Sequence, residues 1–197
     1  MRVTISGPIG SGKSTVGKQL ASRLSYKFIS GGVFFRSLAK DHGMSIEEFN
    51  RYAESRPEID EKQDKMILEF LRDNDNIVLE SRLAGWLCVR NNLEAFKIFL
   101  NASFNTRVQR VSYRDQDNET GEMVKVREES EYLRYKKFYG IDYSLTGIYD
   151  LVIDTDTLSV EEVVNKIYES IKGKDFCLLS RGLYSHRQAQ GTHKPPD

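Results

Sequence analysis

Two rhythms of apolar and polar positions alternate along this chain. Short apolar runs recur at Val3-Thr4-Ile5, Tyr26 to Ser30, Ile77-Val78-Leu79-Glu80, Phe96 to Leu100 and Leu151-Val152-Ile153. Between them, apolar residues return at helical spacing: Val16, Leu20 and Leu24; then Met66, Ile67, Phe70 and Leu71; then Val160, Val163, Val164, Ile167 and Ile171. Runs without polar alternation belong to strands covered on both faces, and strands that alternate with helices build a parallel sheet. The pattern therefore predicts an α/β fold with a five-stranded parallel sheet. Ser45-Ile46-Glu47-Glu48 and Ser55-Arg56-Pro57-Glu58 read as helix-opening capping boxes, the second with proline near the start. Asp73-Asn74-Asp75-Asn76 reads as a turn.

Two segments stand outside the alternation. Residues 31–76 are helical in pattern with no strand, and residues 112–128 are polar with Gly121 in the middle. Both are expected to be mobile covers over a site. After Lys172 the periodicity stops, so residues 173–197 read as a loosely ordered tail. That tail holds His186 and His193, two of the three histidines, and they receive no catalytic role.

The segment Gly7-Pro8-Ile9-Gly10-Ser11-Gly12-Lys13-Ser14 fits the phosphate-loop pattern G-x-x-x-x-G-K-[ST]. Glycines let backbone N–H groups turn inward around phosphate oxygens, and the next helix presents its N-terminus to the same anion. Lys13 is placed to reach the outer phosphates of ATP, and the Ser14 hydroxyl to bind Mg²⁺. A strand before and an amphipathic helix after give the loop its required context. A lysine at a helix N-terminus is unfavourable unless an anion is bound there.

Composition narrows the partners. The 197 residues contain 29 Lys+Arg and 29 Asp+Glu, so there is no basic excess of the kind a nucleic-acid-binding surface carries. Cys88 and Cys177 lie far apart without metal-ligand spacing and read as ordinary thiols in a reducing compartment. The apolar start is too short for a signal peptide or a membrane helix. The expectation is a cytoplasmic monomer acting on small nucleotides, with no nucleic-acid or membrane partner.

The arginines suggest the acceptor. Transfer to a hydroxyl needs a base, and neither Asp41 nor His42 has a convincing position for one. Transfer to a nucleotide phosphate needs cations instead, because two anions must be brought together. Arg36 follows the second strand, and Arg82 lies just past the third, where parallel sheets bind ligands. Arg110 and Arg114 are one helical turn apart beside the polar segment. Arg127, Glu131 and Arg134 share one helical face. Glu80, at the end of a buried strand, is a candidate to hold Mg²⁺ through water.

These features together resemble the short, archaeal-type cytidylate kinases over about residues 1–172. The resemblance is carried by Val3 to Pro8 with the loop, Ser30-Gly31-Gly32-Val33-Phe34-Phe35-Arg36, Leu79-Glu80-Ser81-Arg82-Leu83-Ala84-Gly85-Trp86, Arg127-Glu128-Glu129-Ser130-Glu131 and Tyr139-Gly140-Ile141-Asp142. It implies a P-loop three-layer fold, a monophosphate-binding insertion at 31–76 and a lid at 112–128. It also implies transfer of the γ-phosphate of ATP to CMP or dCMP. By the same resemblance Arg36 and Arg82 contact the monophosphate, with Ser30, Gly31 and Glu131 on the acceptor side. Arg127 and Arg134 close onto the phosphates, and Lys13, Arg82, Arg127 and Arg134 form the catalytic set. Gly7 to Thr15, with Arg110 and Arg114, serve ATP. Ser81 stands where the family pattern has glycine. Two rivals remain at this level: an adenylate or other small-molecule kinase of the same fold, and an ATP-hydrolysing switch or assembly factor.

Overall fold

The computed structural model describes residues 1–113 and 120–173. Arg114, Cys177, part of the polar segment and the tail from residue 174 lie outside the described residues. The chain runs β1 (Arg2–Ser6), α1 (Lys13–Leu24), β2 (Lys27–Ser30), α2 (Gly32–Asp41), α3 (Ile46–Ala53), α4 (Pro57–Asp73) and β3 (Ile77–Glu80). It continues with α5 (Ala84–Arg90), β4 (Phe96–Asn101), α6 (Phe104–Ser112), α7 (Gly121–Arg134), a π-helical turn (Tyr135–Tyr139), β5 (Leu151–Asp154) and α8 over 160–173. All five strands are parallel, in the order β2-β3-β1-β4-β5.

The five apolar runs of the sequence are these five strands. Burial on both faces holds for the centre but not for the edges. All four residues of β3 are buried, whereas β2 and β5 each have one neighbour, and Val152 in β5 is 48% exposed. One apolar layer packs α1 and α8 onto the sheet through Val16, Leu20, Ile167 and Ile171. The opposite layer joins α4 and α5 through Ile67, Leu71, Leu87 and Cys88. Burial pushes the Cys88 thiol up to about 11, which leaves it an inert core residue.

Residues 32–73 supply three helices held by a small cluster of their own, including Leu38, Phe49, Ala53 and Ile59. The first capping box forms: Ser45 Oγ accepts from the Glu48 amide, and the Glu48 carboxylate accepts from the Ser45 amide. The second does not. Pro57 occupies the first helical position of α4, so the cap falls on Arg56 and not Ser55. The proline also drives Arg56 out of the helical region, to φ −129° and ψ 84°. His42 caps the end of α2, with Nδ1 2.8 Å from the Leu38 carbonyl oxygen. Gly121, expected inside an open cover, instead begins α7. Thr120 caps that helix by accepting from the Met123 amide.

The strand ends are aligned for a site. Ser30 of β2 is in register with Glu80 of β3, which is in register with Ile5 of β1. The Gly31 amide donates to the Glu80 carbonyl at 2.6 Å, and the Ser81 amide to the Ile5 carbonyl at 3.1 Å. Three chain exits therefore leave the sheet side by side at its carboxyl edge, where such sheets bind ligands. The Ala84-Gly85-Trp86 stretch has a steric cause. A Cβ at Gly85 would lie 2.5 Å from the Tyr149 ring, while the Gly85 amide donates to Ser6 Oγ at 3.3 Å.

Gly31 has a similar constraint: a Cβ there would sit 2.5 Å from the Ser81 Cβ and 3.0 Å from the Glu80 carbonyl oxygen. Gly31→Ala is expected to destabilise the fold by about 1–3 kcal/mol, the usual cost of overpacking. Adding Ser81→Gly should recover part of that loss, because it removes one of the two obstructing atoms. Urea unfolding of the single and double variants measures the coupling, and strictly additive effects would contradict it.

Candidate functional site

A cavity of about 360 Å³ opens at this carboxyl edge. Its floor is the loop, represented by Ile9, Gly10, Gly12, Lys13 and Ser14. The β2–α2 turn contributes Ser30, Gly31, Gly32 and Arg36, and the end of β3 contributes Glu80, Ser81 and Arg82. One wall is α4, and the other is α7 through Arg127, Glu131 and Arg134. Gly7, Pro8, Ser11 and Thr15 belong to the loop and the first turn of α1 but do not line the cavity.

The loop is braced from outside the β1–α1 unit. Gly10 has φ 76°, and a Cβ on it would lie 2.5 Å from the Arg107 carbonyl oxygen, so glycine is required on both counts. Arg107 is 8% exposed and donates to the Ala102 carbonyl, the Ile9 carbonyl and the Glu128 carboxylate, the last at 2.6 Å. Glu128 also accepts from the Ile9 amide at 2.9 Å. Neither residue emerges from sequence reasoning as a loop brace. The available signal is an arginine beside apolar positions of α6, close to Phe104 and Val111.

Lys13 begins α1 and is 7% exposed. Its Nζ donates to the Pro8 carbonyl of its own loop at 2.7 Å. Burial, followed by the nearby Arg82 charge, pulls its pKa down to about 7. An anion over the loop would favour the charged form again. The Ser14 hydroxyl donates to Glu80 Oε1 at 3.2 Å, and Ser30 Oγ donates to the same oxygen. Glu80 is thus a buried carboxylate set against two hydroxyls, beside the loop.

Of the predicted arginines, Arg36, Arg82, Arg127 and Arg134 are brought together; Arg110 is not, and Arg114 lies outside the described residues. Arg82 donates through Nε to Glu131 at 2.6 Å and through Nη1 to the Gly7 carbonyl at 3.3 Å. Burial opposes its charge, but Glu131 outweighs burial and keeps the guanidinium firmly protonated. Burial likewise opposes the Glu131 charge, and Arg82 and Arg127 overcome it, holding the carboxylate below its usual range. Arg127 lies 3.5 Å from the same carboxylate. Glu131, expected on the acceptor side, lines the cavity and holds both Arg82 and Arg127. Arg134 is paired with Asp60 at 3.2 Å. Arg36 lines the cavity and has no ion pair among the described residues. The exception is Arg110, which turns away to donate to the Thr155 carbonyl and hydroxyl, behind the loop. Thr155 in turn donates to the Ser11 carbonyl at 3.4 Å, so Arg110 is tied to the loop's outer side.

Sequence reasoning also missed the α4 wall: Asp60, Gln63 and Asp64, with Asn50 from α3 beside them. Their i, i+3, i+4 spacing was the available signal. Burial raises Asp60 to about 6 despite Arg134, and raises Asp64 to about 7.

A carboxyl whose folded pKa lies above its free value of about 3.9 contributes stability fully at pH below that value. The contribution is lost as pH rises through the folded pKa. For Asp64 the window ends near 7. Wild-type stability is therefore expected to fall relative to Asp64→Asn between pH 4 and pH 8. Denaturant melts of both proteins across that range read the difference, and a constant gap would contradict the raised pKa.

Comparison with known proteins follows this geometry. A family model described as the cytidylate kinase-like family matches residues 2–157. A cytidylate kinase of Thermoplasma volcanium is 47% identical over 165 residues, covering 83% of this chain and 87% of that protein. A cytidylate kinase of Halobacterium salinarum is 42% identical over 173 residues, covering 87% of this chain and 89% of that protein. Among solved structures, a shikimate kinase from Bacteroides thetaiotaomicron superposes with a TM-score of 0.62 at 18% identity, covering 87% of this chain and 98% of its own. A shikimate kinase from Aquifex aeolicus gives 0.61 at 20% identity, covering 89% and 98%. At that identity the solved structures establish only the shared kinase architecture. The sequence relatives reach further, and on their similarity across the whole catalytic body this chain belongs to the cytidylate kinase-like family.

Proposed function

We propose that this protein transfers the γ-phosphate of ATP to CMP or dCMP, releasing ADP and CDP or dCDP. The observation that carries the reading is the single cavity in which the loop, Lys13, Arg36, Arg82, Arg127 and Arg134 meet. ATP would lie with its phosphates over the loop amides and the start of α1, and the acceptor's phosphate would lie toward Arg36 and Arg82. An ionised phosphate oxygen needs no base to become a nucleophile, so the work of the site is to hold two anions together and offset the charge of transfer. Arginine suits this role, because its fork grips phosphate with two bonds.

The chain's own residues prepare each step. Lys13 exchanges its bond to the Pro8 carbonyl for a phosphate oxygen, with binding of the anion restoring its charge. Arg82 is preset by Glu131 and the Gly7 carbonyl, so little rotamer freedom is lost when a phosphate arrives. The α7 side, with residues 112–128 as a lid, closes over the cavity and excludes water, which limits hydrolysis of ATP. Residues 31–76 form the acceptor-binding unit.

The donors around Glu80 fit Mg²⁺. One carboxylate and the Ser14 hydroxyl are hard oxygen ligands, and this ion keeps its remaining positions for water and phosphate oxygens. When bound, it would neutralise charge on the transferring phosphates. Cytidylate as the acceptor is supported by the relatives, since the lining of the cavity alone does not name a base. Asp60 and Asp64 put carboxyl groups in the cavity, so hydroxyl acceptors belong beside AMP, UMP, CMP and dCMP in any panel.

A coupled assay of ADP release across that panel tests the reading. CMP and dCMP are expected to stimulate release well above the rate with ATP alone, and no stimulation by any monophosphate would overturn it. Lys13→Ala should lower kcat by about 10²–10³-fold while the far-ultraviolet circular dichroism is retained. Arg82→Ala should weaken acceptor use much more than ATP binding. Unchanged KM and kcat for CMP in that variant would remove its role.

A further inference from the structure

One hydroxyl stands where the two halves of the cavity meet. Ser30 ends β2 in register with Glu80 of the neighbouring parallel strand, so both side chains leave the sheet on the same face, and both line the cavity. Ser30 Oγ donates to Glu80 Oε1, the oxygen that also accepts from Ser14 Oγ at 3.2 Å. Glu80 Oε2 accepts from none of the described residues. Ser30 also leads into the turn of the acceptor side. A Cβ on Gly32 would lie 3.5 Å from Ser30 Oγ and 3.0 Å from Arg36 Nη1. The hydroxyl thus neighbours the carboxylate beside the loop and the arginine that faces the acceptor.

Among the described residues no group of three or more His, Cys, Asp or Glu side chains is placed to hold a metal ion. A magnesium site here is therefore built from one carboxylate and one hydroxyl, completed by water and phosphate oxygens. Mg²⁺ demands nearly ideal octahedral geometry, so such a site depends on how its one carboxylate is aimed. A glutamate has three side-chain torsions, and a single hydrogen bond leaves it free to swing about that bond. Two donors from different elements, Ser14 at the start of α1 and Ser30 at the end of β2, pin Oε1 between them. Oε2 is left as the oxygen that a cation or its water meets.

We propose that Ser30 is a positioning residue of the metal site: its hydroxyl holds Glu80 Oε1 so that Oε2 is presented to a divalent cation or to water on that cation. The inference rests on the reading of this cavity as an ATP–Mg²⁺ site. It differs from the direct acceptor contact that the family resemblance implies for Ser30. A serine hydroxyl has one proton, and here that proton is already given to a carboxylate. Turning it toward an acceptor phosphate would release Glu80 and set a second anion beside it.

Mn²⁺ reads this site without turnover. The full-length chain, in excess over a β,γ-imido analogue of ATP so that little nucleotide stays free, is titrated with Mn²⁺, and unbound Mn²⁺ is followed by electron paramagnetic resonance. Ser30→Ala should weaken Mn²⁺ binding by roughly tenfold, the usual effect of losing a group that orients a metal ligand, and Ser30→Thr, which keeps the hydroxyl, should stay within about threefold of wild type. The Mg²⁺ concentration that half-saturates turnover should rise in Ser30→Ala by about the same factor. Glu80→Gln should weaken Mn²⁺ binding too, and adding Ser30→Ala to it should cost less than about twofold more, because the two residues act as one unit. Mn²⁺ affinity unchanged in Ser30→Ala, or losses that add fully in the double variant, overturns the assignment. A raised KM for CMP with unchanged Mn²⁺ affinity overturns it as well and returns Ser30 to the acceptor. Far-ultraviolet circular dichroism checks that each variant folds, and Ser30→Cys, whose thiol donates only weakly, decides if Ser30→Ala does not. Wild-type affinity in Glu80→Gln overturns the reading of Glu80 as the metal carboxylate, which is a different result from a loss in Glu80→Gln that Ser30→Ala does not share.

Discussion

The buried carboxylate of Glu131, gripped by Arg82 and facing Arg127, is the contact on which the site depends. Cations gathered for two anionic substrates repel one another when the substrates are absent. Glu131 supplies the missing negative charge from α7, and Arg82 extends the tie to the Gly7 carbonyl at the start of the loop. One side chain thereby joins the end of β3, the helix over the cavity and the phosphate loop. Removing one partner of such a buried pair leaves an uncompensated charge, which costs more than the pair itself contributes.

The same economy of charge recurs around the cavity. Lys13 rests on a carbonyl of its own loop, Arg134 on Asp60, and Arg107 on Glu128 and two backbone carbonyls. Each cation is buried or partly buried and each has an internal acceptor. Arg107 and Glu128 are permanent braces, because they bond to loop backbone on its far side. Lys13, Arg82 and Arg134 face the cavity, where a phosphate or a base can replace or supplement the internal partner. Arg36 is ready to meet an anion directly.

Much of this was legible in the sequence because it is local. The five strands, α1, α8 and the Ser45 cap follow from periodicity and capping chemistry, and the loop from its glycine spacing. What sequence could not give depends on tertiary placement. Ser55 lost its capping role to the position that Pro57 dictates. Arg110 looked like its neighbouring arginines in spacing, yet Thr155 at the end of β5 claims it. The helical face that carries Glu131 was visible, but its partner across the cavity, Arg82, was not. Asp60, Gln63 and Asp64 were hidden in a helix whose apolar stripe, Ile59, Ile67 and Leu71, explained its existence without them.

The central claim is that two phosphate-bearing ligands meet in one cage. Calorimetric titration with adenosine and cytidine joined 5′ to 5′ through five phosphates tests it most directly, because that molecule fills both halves at once. The account predicts binding at least roughly 100-fold tighter than CMP alone, as expected when two sites are engaged by one linked ligand. It also predicts that Arg82→Ala loses most of this gain. An affinity no greater than that of ATP by itself would contradict it.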